Sequence, residues 1–587
     1  MRTRPQDKVA LGLIFIAVSL EFVFGLMGLT WGLPNASRFS IFSPTMLSDS
    51  KMPEKLEQSW KKIYQGVRQS RKEDTDESMP SVKGVEEFKP GWSWPPGELV
   101  HSYRSMLLRS QNPDEQKTFT VLAQMNPARL NFKPIYIQYG GFFVYSCGIL
   151  LEICAHLKWI HLTHGLSYYL LHPEEMALFY VVGRMLMFFS TLAMPLVLFD
   201  IGRRISSERM GALAALLFSL IPAVIPNSHV LKPHPYAAFW AILSVDWAVR
   251  ALKAESGNAL SWCGVFAGLA AGANLSFFYF GALPLLVWLW RGRPRELFRR
   301  SLAGSFLSFL TFAATNPYLF IDPGYYVWEL LVYPRHKASF SLNSAFLFFT
   351  DYFPRALGCG LAVASVLGLI VMFRGKSKKR FFAVVSMGGL LLLWVLLALV
   401  WGFLNSSVSV RFFYPFLGLF SLLAAEFFVS DFISQNLRWP FLAIVLAFNS
   451  LNCFVYLKNL SLNDSKDSTR AQAAFWIQKN IKPGSSVGLS RYPQPYSTPL
   501  FRYDQYDLIV FERPDFLKTF PEYVVLDQEG YSDPQTHLFI KKNYRLAAAF
   551  KPFSLGLFSV DPNYYVNTAM RIFKLKPIEA AKFRQEK

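Results

Sequence analysis

Charge is scarce in this 587-residue chain: 17% of its residues are Asp, Glu, Lys or Arg, against about a quarter in soluble domains. Apolar side chains fill the deficit at 52%, and mean hydropathy is positive. That much apolar surface needs a solvent other than water, and a bilayer supplies one. Cysteine is scarcer still. Cys147, Cys154, Cys263, Cys359 and Cys453 all lie in or near apolar runs. Neither a disulfide framework nor a zinc-ligand spacing can be drawn from them, so they read as small apolar packing residues. Walker A and dinucleotide fingerprints are missing as well. An enzyme driven by ATP or fed by a soluble nucleotide sugar is therefore disfavoured. No cofactor or metal is expected, and any donor should arrive within the membrane.

What the chain does have is a series of long apolar runs. A spanning helix needs about 20 apolar residues. Runs near 9–31, 177–202, 208–226, 236–252, 259–275, 276–290, 301–316, 355–374, 381–403, 411–430 and 438–457 suggest about eleven crossings. The formal net charge is +20, which could indicate nucleic acid. The basic residues, however, collect in short runs between apolar segments, such as RGRPRELFRR at 291–300 and RGKSKKR at 374–380. This is the positive-inside pattern, and no nucleic-acid partner is expected. With a cytoplasmic N-terminus the basic loops face the cytosol, and 32–176 and 458–587 face the other side. Segment 135–155 is apolar too, but a crossing there would invert every later loop. It reads as interfacial or re-entrant, with Gly140, Gly141 and neighbouring aromatics suited to the membrane–water boundary.

The expected architecture is therefore a mainly α polytopic membrane protein. A first crossing occupies 1–31, a long external loop 32–176, and a multi-helix transmembrane domain 177–457. A small α/β domain follows at 458–587, with a helix at 470–480 and strands at 486–489, 507–511 and 523–526. Within the loop, 45–90 reads as a helix followed by a flexible stretch, and the spacing after Glu115 as a short amphipathic helix lying on the membrane.

Two sets of residues could carry chemistry. Asp114 and Glu115, in NPDEQ, could supply a general base that takes a proton from an acceptor hydroxyl or amine. Near a low-dielectric boundary a carboxylate becomes a stronger base. The competing reading is a solvated turn whose acids complement a helix N-terminus. The second set is cationic and sits at external helix ends: Arg184, then His229, Lys232 and His234 in NSHVLKPHP, then Arg335, His336 and Lys337, and finally Arg411. Converging cations would suit a phosphate or pyrophosphate on a lipid carrier, whereas snorkelling to headgroups is the plainer account of any one of them. Trp92 and Trp94 could stack on sugar rings or simply anchor at the interface.

Several segments together resemble the integral-membrane glycosyltransferases of the GT-C fold, in particular the family 39-like group of protein O-mannosyltransferases and lipid A aminoarabinose transferases. They are PDE at 113–115, MNPARLNFKPIYIQYGG at 125–141, 182–223, NSHVLKPHPYAAFW at 227–240, TNPYLFIDP at 315–323, 410–425, and STRAQAAFWIQKNIKPGSSV at the start of the C-terminal region. The resemblance implies that Asp114 is the base, with Glu115 beside it, and that Arg184 contacts the donor phosphate or shapes the site. The family often carries an Asp where this chain has His234, so a cationic phosphate-binding role is the alternative there. It further implies a polyprenyl-phosphate sugar as donor, a lipid, glycan or protein as acceptor, inversion at the anomeric carbon, and no bound metal. A lipid-linked glycan polymerase or ligase would share this donor chemistry. A lipid or sugar transporter would instead place acidic or polar residues at helix midpoints and repeat its two halves; few charges fall there, Glu21 and Asp246 being two, and the charged sites collect at one face. The lack of disulfide-type cysteines outside favours a bacterial inner membrane, although Asn35, Asn405 and Asn459 form glycosylation sequons.

Overall fold

An apolar segment in lipid can satisfy its backbone only within itself, which makes the helix the default element of such a sequence. The computed structural model describes residues 7–59, 82, 84–134, 137, 139–163, 165–253, 258–291, 294–327, 342–374, 389–391, 393, 395 and 407–577. Its principal helices are α1 (Lys8–Gly28), α2 (Leu99–Leu108), α3 (Glu115–Leu122), α4 (Pro173–Ile205), α5 (Glu208–Ser219), α6 (Pro233–Leu252), α7 (Ala259–Ala273), α8 (Arg295–Thr315), α9 (Tyr414–Val429), α10 (Gln435–Asn463) and α11 (Thr469–Asn480). The strands are β1 (Val85–Phe88), β2 (Ser486–Leu489), β3 (Asp507–Phe511), β4 (Tyr523–Asp527), β5 (Tyr544–Phe550) and β6 (Met570–Leu575).

Among the described residues, four helical stretches are long and apolar enough to cross a bilayer: Lys8–Gly28, Pro173–Ile205, Ser409–Val429 and Gln435–Asn463. A fifth results if Leu342–Leu357 and Cys359–Arg374, bent by 102°, form one crossing. This is fewer than the eleven expected from apolar runs, for identifiable reasons. The run 208–226 breaks into α5 and the one-turn helix Val224–Ser228. Asn274 ends α7 after 15 residues, and its side chain caps the 3-10 turns that follow. α6 and α8 reach crossing length, but neither holds an 18-residue stretch apolar enough to cross. Most of 381–403 lies outside the described residues. Segment 135–155 contributes the apolar helix Gly141–His156, shorter than a crossing.

The chain divides into two compact units. The first comprises Met1–Leu29, Thr118–Ile153 and Val182–Phe454. Here Ala17 of α1 packs on Ala215, Leu216 and Leu220, and Ser219 donates its hydroxyl to the Ala17 carbonyl at 3.2 Å. α7 and α8 meet through small residues: a Cβ on Gly264 would lie 1.9 Å from the Gly304 carbonyl oxygen, and one on Gly268 would lie 2.4 Å from that of Ser308. Such close approach is how helices associate where lipid removes the hydrophobic drive. Two segments of the resemblance also meet here. Asn316 accepts from the Gly141 amide at 2.8 Å, Lys133 pairs with Asp322, and the Tyr318 hydroxyl accepts from the Phe132 amide at 3.0 Å.

The second unit comprises Thr30–Lys117, Cys154–Val181 and Val455–Lys587. Its six-stranded sheet runs in the order β1-β3-β2-β4-β6-β5, parallel at β3-β2-β4 and antiparallel elsewhere. The three strands expected from the sequence are β2, β3 and β4. β1 comes from the first loop, pairing Val85 with Phe511 and Phe88 with Leu508. Ile509, Phe511, Val524, Leu526, Ile540 and Phe573 form a core against one face.

Candidate active site

In the second unit the NPDEQ turn is held by polar groups removed from water. Every residue of α2 is buried, including His101 and Arg104, and Arg109, Ser110 and Asn112 after it are buried as well. Helix ends leave carbonyls without partners, and buried Arg38 supplies them. Its guanidinium donates to the Met106 carbonyl at 2.8 Å, to that of Arg109 at 2.5 Å, and to those of Gly32 and Leu33 at 3.0 and 2.9 Å. Gly32 has φ +62°, and a Cβ there would come within 2.8 Å of the Gln111 side chain, so a glycine is required. Its amide donates to Asp464 at 2.7 Å and its carbonyl accepts from the Gln111 amide at 2.8 Å.

A second arginine braces the same turn. Arg470, near the start of α11, donates to the Gln111 side chain, to Asn463 Oδ1 at 2.6 Å and to the Tyr496 carbonyl at 3.1 Å. Asn463 also donates to Gln111 at 2.7 Å and accepts from the Asn567 amide at 2.9 Å. The first loop and the C-terminal region are thereby one hydrogen-bonded structure.

The two carboxylates have different surroundings. Glu115 is fully buried and accepts from the Ser110 hydroxyl at 2.5 Å. Asp114 is 26% exposed, its amide donates to Asn112 Oδ1 at 3.1 Å, and its carboxylate lies 3.5 Å from the Lys117 ammonium. The electrostatic surroundings are rich in arginine and tyrosine. Burial, then Arg109, holds the Arg104 guanidinium down to about 9, still charged at neutral pH. Burial, then Glu529 and Asp114, raises the Tyr565 phenol. The Tyr565 ring meets that of Tyr496 edge-on at 5.4 Å, and Arg491 donates to Glu529 at 2.9 Å. Tyr565 and Asn567 are non-glycine residues with φ of +60° and +47°, a strained geometry fixed here by the bonds from Asn567 to Asn463 and Asn459.

The expected cations divide otherwise. Arg184, His229, Lys232, His234 and Arg411 belong to the first unit. Arg184 is fully buried and donates to the carbonyls of Gly28 and Leu29 at 3.3 and 3.1 Å, at the end of α1. His229 meets the Phe24 carbonyl through Nε2 at 2.8 Å, and a Cβ on Gly28 would strike its ring. Burial pushes the His229 imidazole down to about 3, so it serves α1 as a neutral donor rather than as a cation. His234 and Arg411 come together on Phe412: the imidazole stands edge-on at 5.1 Å, and the guanidinium lies 5.2 Å from the ring centroid. Lys232 stands just before α6 in extended conformation, and its side chain makes no capping bond to the helix. Arg335, His336 and Lys337 lie outside the described residues. Trp92 packs edge-on against Phe88 at 6.4 Å, and Lys55 lies 5.1 Å over Trp94.

Sequence reasoning overlooked Arg38, Arg104, Arg109 and Arg470. One signal was available: two arginines and a histidine inside the apolar run LVHSYRSMLLR, where buried charge demands partners. Arg38 and Arg470 sit in segments with no such mark.

No family model and no curated protein matches the chain. Solved structures do. ArnT from Cupriavidus metallidurans bound to undecaprenyl phosphate is similar over 81% of this chain and 96% of its own, at 13% identity and a TM-score of 0.43. The archaeal oligosaccharyltransferase AglB from Archaeoglobus fulgidus, in complex with an inhibitory peptide and a dolichol-phosphate, is similar over 71% of this chain and 65% of its own, at 13% identity and a TM-score of 0.35. At this distance no residue of either carries its role over to this chain.

Proposed function

We propose that the chain is an integral-membrane glycosyltransferase of the GT-C kind, moving a sugar from a polyprenyl-phosphate carrier to an acceptor on the non-cytoplasmic face. The observation that carries the reading is the contrast within the PDE motif. Glu115 is sealed inside and tied to Ser110, while Asp114 reaches solvent from a turn braced by two buried arginines. A base needs that combination of fixed position and access.

In this reading the Asp114 carboxylate takes the proton from an acceptor hydroxyl or amine as its oxygen or nitrogen bonds to the anomeric carbon. The bond from that carbon to the carrier phosphate breaks on the opposite side, so the centre inverts and the polyprenyl phosphate leaves with the electron pair. Cations at the carrier phosphate stabilise the charge that grows on the leaving group. Arg184 and His229 shape the end of α1, and Glu115 positions Asp114. No cofactor is required, and a bacterial inner membrane is the proposed location.

The test uses purified protein in nanodiscs with a radiolabelled polyprenyl-phosphate sugar. Turnover that vanishes in Asp114→Asn, with donor binding retained, is expected. Undiminished turnover in that variant overturns the assignment of the base. Movement of intact lipid across the bilayer without cleavage overturns the transferase reading in favour of a transporter.

A further inference from the structure

The second unit carries a short β-hairpin whose tip is apolar and open. Leu555 and Phe558 exchange backbone bonds at 3.0 and 2.9 Å around the turn Gly556–Leu557. Gly556 has φ +56°, which this two-residue turn needs. Leu557 is 93% exposed and Leu555 is exposed as well. A leucine held out from the protein on a hydrogen-bonded turn has no packing role in its own unit.

The base of the hairpin is fastened to α10. Asn459 donates to the Phe553 carbonyl and accepts from the Phe553 amide, both at 2.8 Å. Tyr456, three residues earlier, meets Tyr564 edge-on at 6.2 Å. α10 is a crossing helix by length and composition, and its outward face shows where lipid ends. Ile444, Leu451 and Phe454 are exposed along it, and then the exposed residue is Lys458. Long apolar side chains giving way to a lysine mark the membrane–water boundary, where the ammonium reaches headgroups.

Phe553 is therefore bonded one residue past that boundary, a rise of about 1.5 Å along the helix. From Phe553 the chain can extend roughly 13 Å to reach Leu557. We propose that this hairpin is a membrane-interface anchor: Leu555, Leu557 and Phe558 enter the boundary between headgroups and acyl chains beside the end of α10. Exposed Lys551 and Lys458 flank the anchor and complement anionic headgroups. The partner is the lipid surface itself.

Depth of insertion tests this directly and does not depend on sugar transfer. An environment-sensitive fluorophore is placed at Leu557→Cys, in a Cys359→Ser background that removes the exposed native thiol. The protein is reconstituted in nanodiscs of phosphatidylethanolamine and phosphatidylglycerol. Emission shifted to the blue, and quenched severalfold by lipids spin-labelled near the headgroup, is expected. A water-like emission that these lipids do not quench overturns the proposal. A second label at Ser554→Cys, also exposed, reads the same depth with the same two outcomes should the first variant fold poorly.

Discussion

At the scale of single residues, the braced turn makes unequal demands on similar side chains. Arg38 serves four carbonyls with a planar fork, a geometry that an ammonium cannot reproduce. Arg38→Ala is expected to cost about 3 kcal/mol or more, because buried acceptors lose a charged donor. Arg38→Lys should recover little of it, as thermal unfolding in detergent would show. His101 offers a pH signature. Burial, then Arg104 and Arg109, pushes its imidazole down to about 4, although Glu98 lies 3.3 Å away. The unfolded chain binds this proton near pH 6.5 and the folded chain only near 4, so stability falls as pH drops through that window and levels off below it. His101→Gln should flatten the slope between pH 6.5 and 4, measured by unfolding at a series of pH values. Asn459 fits the glycosylation pattern but is fully buried, with its amide committed to Phe553. It should stay unmodified when the protein is made in glycosylating microsomes, which a mobility assay would reveal.

Between elements, the contact of α7 and α8 depends on missing side chains. Gly264→Val should abolish folded protein, judged by a monodisperse peak in gel filtration, because the added atoms meet the Gly304 backbone rather than a movable side chain. Gly12→Val is the control, since a Cβ there meets nothing within 4 Å. Elements of this kind were legible where the pattern was strong. α1, α4, α10 and the strands β2 to β4 stand where apolar runs and turn signals placed them. β1 was not legible, because VEEF alternates too briefly to signal a strand and gains its identity only from β3. Nor could apolar content distinguish a crossing from two short helices meeting at Asn274, where one polar residue decides. The candidate site was legible as a motif, PDE, but its bracing was not: Gln111, Asn463 and Arg470 meet through contacts that no local pattern encodes.

For the molecule as a whole, the units do not follow the order of the chain. The first loop and the C-terminal region share a sheet and a buried polar network, so a variant on either side should affect both. Asn567→Ala removes the side-chain bonds to Asn459 and Thr469 and leaves only the backbone amide on Asn463. It is expected to loosen the NPDEQ turn, read as faster amide exchange at residues 109–115. The same arrangement has a consequence for how the protein is made. Lys89, just after β1, pairs with Asp507, 418 residues later. At about 5–20 residues per second, a ribosome leaves the first strand waiting for its partner while the intervening helices are threaded into the bilayer. Throughout that delay the edge of an unfinished sheet is offered to any passing chain. Biogenesis of this protein should therefore lean on a holding chaperone.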